Sequence, residues 1–329
     1  MDPQAILTRP PVAPSKFQGT VVQESRQIGL LVGAAVGDAL GAPFEFQPGG
    51  QYKKKFPVPV LEGAGEMIGG GGFNWGPGEF TDDTQMGIVL AESLLDNGLQ
   101  LEPNHLFSSW RAWAQDAIDV GNTTRYALSF RSWRDVKHRN PEMTAANGAL
   151  MRTFPLALLE IDDETRRGWT LQQAALTHAH PDAGFGAWLG VAMMRASIEE
   201  RDPFSALVSE LNKLPDDSRA RFTPILAETW SPSARMISNG TVWGCLACAV
   251  WALRGATSYE DAVVRAVDIG DDADTVACVA GAIAGAIFTE QAIPRRWLDH
   301  VHGYVHGKIY GLEDLKNIAR SVAKKNKQP

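Results

Sequence analysis

Gln27-Ile-Gly-Leu-Leu-Val-Gly-Ala-Ala-Val-Gly-Asp-Ala-Leu-Gly41 is the stretch that decides the fold. Gly29, Gly33, Gly37 and Gly41 recur every four residues, which on a helix places them on one ridge. Each glycine costs a helix about 1 kcal/mol relative to alanine. Four in register therefore call for a compensating contact, the close approach of another backbone. Thr275-Val-Ala-Cys-Val-Ala-Gly-Ala-Ile-Ala-Gly-Ala-Ile-Phe288 repeats the device with Ala277, Gly281 and Gly285. The sequence predicts that these two segments are helices packed directly together at the centre of the fold.

Outward from this pair, helical periodicity dominates and strand alternation is scarce. Helices are predicted at Thr84–Leu95, His105–Ile118, Thr124–Trp133, Leu171–Thr177, Phe185–Glu199 and Thr241–Leu253. Ser258-Tyr-Glu-Asp261 has the form of a capping box opening a further helix to about Val267. Residues 47–79 carry Gly69-Gly-Gly-Gly72 and Gly76-Pro-Gly78 and read as a long ordered loop. Asp202–Arg221, polar around Pro215, reads as a surface excursion. The expected architecture is a single all-α domain over residues 25–320. A flexible proline-bearing arm (1–24) precedes it and a polar tail (321–329) follows.

The chain has 329 residues, 44% hydrophobic and 21% charged, enough for a substantial core without staples. Its 31 basic and 38 acidic residues give a net charge of −7, which speaks against a nucleic-acid or anionic-membrane surface. Met1–Lys16 has no apolar leader segment, and the longest oily run, Ile28–Val36, is far shorter than the ~20 residues of a membrane span. The expectation is a soluble cytoplasmic protein. The three cysteines suit a reducing compartment. Cys245 and Cys248 form a C-x-x-C, but within the oily run Val242–Trp251, where core packing is the reading.

Two acidic clusters stand at predicted helix starts: Thr81-Asp-Asp-Thr84 and Asp271-Asp-Ala-Asp-Thr275. Helix capping accounts for one or two carboxylates at each. It does not require Asp82 beside Asp83, or three aspartates within four residues. Clustered carboxylates repel one another unless a cation or protons compensate. A hard divalent cation explains the surplus, since Mg²⁺, Mn²⁺ and Ca²⁺ take carboxylate and hydroxyl oxygens. If the central glycine-ridged helices meet, the two clusters converge on one site. Other metal motifs fail on spacing: Asp82-Asp-Thr-Gln-Met86 lacks the last acid of D-D-x-x-D, and no EF-hand loop is present.

These blocks resemble the ADP-ribosylglycohydrolase family, of the dinitrogenase-reductase-activating glycohydrolase and ADP-ribosyl-acceptor hydrolase type. The match is collinear over roughly residues 27–290. Gly33-Ala-Ala-Val-Gly-Asp-Ala-Leu-Gly-Ala-Pro-Phe-Glu45 looks like the family's opening block. Gly121-Asn-Thr-Thr-Arg125, Asn147-Gly-Ala-Leu-Met-Arg152 and Thr177-His178 look like ligand-contacting segments. The resemblance implies an all-α fold, a single-domain orthogonal helical bundle, two Mg²⁺ or Mn²⁺ ions, and hydrolysis of ADP-ribose from a modified protein side chain. It implies Thr81, Asp82, Asp83, Asp272, Asp274 and Thr275 as metal ligands. Asp271 stands where the family commonly has glycine and is left out of that set. It implies Glu45 and Asp119 as catalytic carboxylates, the latter placed to meet a substrate guanidinium. It implies Gly121, Asn122, Thr123, Asn147, Gly148, Leu150, Met151 and His178 as substrate contacts. The substrate expectation is an ADP-ribosyl-arginine protein, with ADP-ribose as product. Two alternatives stand beside it. One is an immunity or binding module that neutralises an ADP-ribosylating toxin or other target through the N-terminal arm. The other is a dinuclear-metal nucleotide phosphohydrolase.

Overall fold

Helix α1 (Thr20–Gly41) runs through the interior of the protein, with Leu30, Leu31, Val32, Ala34, Ala35 and Val36 all fully buried. The computed structural model describes residues 20–138, 140–234 and 237–324. The first helix thus begins earlier than the sequence predicts, and residues 20–24 belong to it rather than to an arm. The rest of the expected arm, 1–19, lies outside the described residues, as does most of the expected tail, 325–329. Segment 21–44 is long and apolar enough to cross a membrane, contrary to the count of oily residues. Its most apolar window is wholly buried among the other helices, as a core helix that is hydrophobic all round must be.

After α1 follow α2 (Gln51–Lys55), α3 (Asp82–Asp96), α4 (Pro103–Trp113), α5 (Asn122–Leu128), α6 (Gly148–Met151) and α7 (Phe154–Leu158). Then come α8 (Asp163–Ala175), α9 (Pro181–Ile198), α10 (Pro203–Leu211), α11 (Asp216–Ile225), α12 (Val242–Arg254), α13 (Tyr259–Val267) and α14 (Ala273–Phe288). A short α15 (Arg295–Leu298), a hairpin of β1 (His302–Val305) and β2 (Lys308–Gly311), and α16 (Leu312–Val322) complete the chain. The hairpin pairs antiparallel, with His302 opposite Gly311 and Val305 opposite Lys308. The fold is a mostly helical single domain with this one small sheet among the described residues.

The central contact is α1 against α14, the most extensive between any two elements. A Cβ at Gly29 would stand 2.3 Å from the Gly285 carbonyl oxygen, one at Gly33 2.5 Å from that of Gly281, and one at Gly37 2.1 Å from that of Ala277. The glycine ridge therefore lets two backbones touch, as the spacing predicts. Tyr259 Oη donates to the Gly33 carbonyl at 2.8 Å, and Arg26 Nη1 donates to the carbonyls of Ala286 and Ile287, closing the C-terminal end of α14. Helices α9, α12 and α13 pack around α14, and α16 lies across α1 and α3.

Several predicted elements shift. The helix expected over 105–118 ends at Trp113, and Ile118 is exposed. The one expected over 124–133 spans only α5, followed by a separate 3₁₀ turn at Trp133–Asp135. The expected surface excursion 202–221 is instead the helix pair α10 and α11, which bury Phe204, Leu207, Leu211 and Phe222. Cys245 and Cys248 are buried in α12, in keeping with core packing. The glycine run at 69–72 forms a tight turn. Gly69, Gly70 and Gly71 have φ of 62°, 93° and 71°, and Gly70 exchanges both backbone hydrogen bonds with Trp75.

Candidate metal and hydrolytic site

The two acidic clusters meet because α1 brings a third acid between them. Asp38, near the C-terminal end of α1, is completely buried. Its carboxylate accepts from the Thr81 backbone N–H at 3.0 Å, the Thr84 N–H at 3.0 Å and the Thr84 hydroxyl at 2.6 Å. The start of α3 is thus capped from 43 residues away. Thr81, the residue at the cap position, makes no capping bond of its own. Asp272, at the start of α14, makes none either. Capping thus leaves the surplus carboxylates unexplained.

Asp38, Asp83 and Asp274, all buried, each place one carboxylate oxygen within 4.8 Å of the other two. Thr81 Oγ1 donates to Asp83 Oδ2 at 3.2 Å, and Thr275 Oγ1 donates to the same oxygen at 3.3 Å, so the two motifs join at Asp83. Asp83 Oδ1 and Asp274 Oδ1 are buried and have no hydrogen-bond partner among the described residues. A buried carboxylate oxygen without a donor is costly unless a cation meets it. An all-oxygen set of carboxylates flanked by threonine hydroxyls suits a hard divalent ion. The residues present therefore fit a metal site. Asp38 belongs to it and was not among the expected ligands, although it stands within the opening block. A lone aspartate inside an apolar helix is the signal that could have found it.

The wider cluster is electrostatically strained in the absence of a cation. Burial, reinforced by neighbouring carboxylates, raises Asp82, Asp83 and Asp274 well above the usual carboxylate range. Burial likewise raises Asp272. Asp38 is pushed up to about 6 by burial, against the hydrogen bonds it accepts from Thr81 and Thr84. Glu45 is pushed up to about 8 by burial and then by Asp119, Asp272 and Asp38. Asp119 is pushed up to about 6 by burial and by Asp272, with Arg125 opposing. Glu45 ends the turn after α1, Asp119 lies in the loop before α5, and their carboxylates face the same acidic centre. Glu45 Oε2 is buried and unpartnered.

Backbone geometry holds these loops together. Phe46 N–H donates to the Asp271 carbonyl at 2.6 Å, and Asp271 N–H to the Gln47 carbonyl at 2.7 Å. Asp271 has φ of 54°, in the left-handed region that favours glycine and that aspartate tolerates better than most residues. That is the physical reason glycine suits this position.

The expected substrate contacts divide. Gly121, Asn122 and Thr123 form the open start of α5, on the same side as Asp119. Asn147 donates both amide hydrogens, to the Asn239 carbonyl at 3.0 Å and to Asp272 Oδ2 at 2.9 Å, so its side chain orients an acid of the cluster. Leu150 and Met151 are buried, and the Leu150 side chain packs onto Gly190 of α9. The Leu150 and Met151 N–H groups both donate to the Asn147 carbonyl. Gly148 faces His178: a Cβ there would lie 3.4 Å from His178 Nε2 and 3.4 Å from Thr124 Oγ1. His178 is buried, and its Nε2 has no partner.

A sequence model of the family described as ADP-ribosylglycohydrolase matches residues 20–329. The chain is 31% identical over 309 residues to ADP-ribosylarginine hydrolase Tri1 of Serratia proteamaculans, covering 89% of this chain and 78% of that one. It is 29% identical over 289 residues to the ADP-ribosyl-[dinitrogen reductase] glycohydrolase of Rhodospirillum rubrum, covering 86% and 92%. A solved structure described as an ADP-ribosylglycohydrolase-related protein complex superposes with a TM-score of 0.74 at 29% identity, covering 92% of this chain and 99% of that one.

Proposed function

The chain belongs to the ADP-ribosylglycohydrolase family, and on that premise we propose that it removes ADP-ribose from modified arginine side chains of proteins. In this reading water adds to ribose C1 as the C1–N bond breaks. A proton passes to the departing guanidine, and ADP-ribose and unmodified arginine result. The observation that carries it is the buried acidic centre, in which Asp83 Oδ1 and Asp274 Oδ1 lack partners beside Asp38. Two Mg²⁺ or Mn²⁺ ions held there by Thr81, Asp82, Asp83, Asp272, Asp274, Thr275 and Asp38 would fix ribose hydroxyls and acidify water.

The chain's own residues supply the rest. Glu45, whose Oε2 is buried without a partner among the described residues and faces the acidic centre, is placed to take up and hand on a proton, as an acid–base group must. Asp119 offers a carboxylate to the guanidinium, a pairing supported by the attraction it already has for Arg125. Asn147 keeps Asp272 oriented. The arginine assignment is further supported by relatives from Serratia proteamaculans and Pseudomonas putida named as ADP-ribosylarginine hydrolases.

The test is a panel of arginine-, serine- and nucleic-acid-linked ADP-ribose substrates, each with Mg²⁺ and with Mn²⁺. Release of free ADP-ribose from the arginine-linked substrate, lost in Glu45→Gln, is expected. Release of phosphate or AMP would point to phosphohydrolysis and overturn the reading.

A further inference from the structure

Arg152 is a fully buried cation that donates to no carboxylate among the described residues. Its guanidinium carbon lies 3.9 Å from the centroid of the Trp110 ring. Nε donates to Gln173 Oε1 at 2.9 Å, and Nη2 donates to the Gln173 carbonyl at 3.1 Å and to Thr177 Oγ1 at 2.8 Å. Thr177 Oγ1 in turn lies 2.8 Å from His178 Nδ1. We propose that Arg152, acting through the Thr177 hydroxyl, fixes His178 as the neutral tautomer protonated on Nε2, and so presents an N–H donor to an acceptor oxygen of ligand seated over Gly148. The ligand half of this inference rests on the functional reading above.

The argument is one of donor and acceptor counting. A guanidinium can only donate, and a hydroxyl has one hydrogen and two lone pairs. Arg152 therefore occupies a lone pair of Thr177 Oγ1, and the hydroxyl hydrogen must point elsewhere. Among the described residues, the remaining hydrogen-bond partner of that oxygen is His178 Nδ1. If Thr177 donates to Nδ1, every group from Arg152 to Nδ1 is satisfied and the imidazole proton sits on Nε2. If Nδ1 instead carried the proton, the Thr177 hydroxyl hydrogen would be buried without an acceptor. Protonation of both nitrogens is disfavoured as well: burial, then the Arg152 charge, then His138 drive His178 well below the usual histidine range.

The far nitrogen supplies the second observation. His178 Nε2 is buried and without a partner among the described residues, and it stands beside Gly148, where a Cβ would crowd it at 3.4 Å. A buried N–H without an acceptor is costly. A phosphate or ribose oxygen placed there would accept from it. Arg152 and Thr177 are in this view positioning residues, which act through His178.

The experiment uses full-length protein labelled with ¹⁵N-histidine, with the His178 resonances identified from their loss in His178→Gln. Long-range ¹H–¹⁵N correlation distinguishes the two tautomers. Wild type is expected to show unprotonated Nδ1 and protonated Nε2 at pH 7, with Thr177→Ser preserving the pattern. Thr177→Val, which keeps the shape and removes the hydroxyl, is expected to lose it. Added ADP-ribose should shift the Nε2 resonance, and its affinity should fall about ten-fold in Thr177→Val, the loss of one hydrogen bond to ligand. A wild-type His178 protonated on Nδ1, or on both nitrogens, overturns the relay whatever the turnover. An Nε2 resonance unmoved by saturating ADP-ribose overturns its ligand half. The tautomer pattern supports the relay even if no ADP-ribosylated substrate is turned over, so the two readings fail separately.

Discussion

Replacing Gly285 with alanine should destabilise the protein, while the same replacement at Gly168 should stabilise it. A Cβ on Gly285 would stand 1.9 Å from the Gly29 carbonyl oxygen, whereas real Cβ contacts under 3.0 Å are essentially never seen. Helices α1 and α14 would have to part by about 1 Å, because the obstacle is backbone and cannot rotate away. Overpacking of this kind costs about 3 kcal/mol, the upper end of the common range. The helix gains about 1 kcal/mol from alanine's better propensity, leaving a net loss of about 2 kcal/mol. Unfolding entropy of about 2.1 cal/mol/K per residue makes that a fall in Tm of about 3 °C for a chain of this length. Gly168 lies exposed within α8, with nothing within 4 Å of a Cβ there, so only the propensity gain of about 1 kcal/mol applies. Urea denaturation followed by circular dichroism reads both signs. Because α1 carries Asp38 and α14 carries Asp274 and Thr275, folded Gly285→Ala should also lose turnover. A Gly285→Ala protein as stable as wild type would refute the close-contact argument.

Asp38→Ala leaves the Thr81 N–H, the Thr84 N–H and the Thr84 hydroxyl without their acceptor. At about 1–3 kcal/mol per buried orphan, a loss of about 3 kcal/mol or more is expected. Asp38→Asn should fall between the two in urea melts run with Mg²⁺. Asp82→Ala and Asp272→Ala should each abolish ADP-ribose release while keeping the helical circular dichroism signal; full activity in both would remove them from the metal set. In chelator, stability should fall as pH rises from 5 to 9. Unfolded carboxyls titrate near ~4, and the folded chain holds its protons more tightly, up to about 6 at Asp38 and Asp119 and about 8 at Glu45. Their contribution is fully present below the unfolded values and is lost as pH passes the folded ones. Adding Mg²⁺ or Mn²⁺ should flatten this slope in thermal melts; a slope of opposite sign in chelator would contradict the clustering.

The glycine ridge was legible because spacing alone determines a helix face, and the partner ridge at Ala277, Gly281 and Gly285 has the same period. Both acidic motifs were legible because several acids stood together at helix starts. Asp38 was not, because its meaning depends on residues 81–84, which only the folded chain brings to it. Segment 202–221 was misread for a related reason. Its helices bury single stripes, such as Phe204, Leu207 and Leu211, beneath broad polar faces. The helix expected over 105–118 was overextended because Ile118 continues an apolar period that the structure leaves exposed. Strands β1 and β2 are four residues each, too short for alternation to register.

The pairing of α1 with α14 also sets an order of events at the ribosome. Gly29 cannot meet Gly285 until nearly the whole chain has been made. At roughly 5–20 residues per second, that wait is on the order of 10–50 s. Throughout it α1 lacks the helix that makes its most extensive contact, and Asp38 has no Asp274. Contacts so distant in sequence are slow to form. The acidic centre therefore cannot assemble on any early fragment, and an ion that needs both motifs can be captured only by a chain that is all but complete.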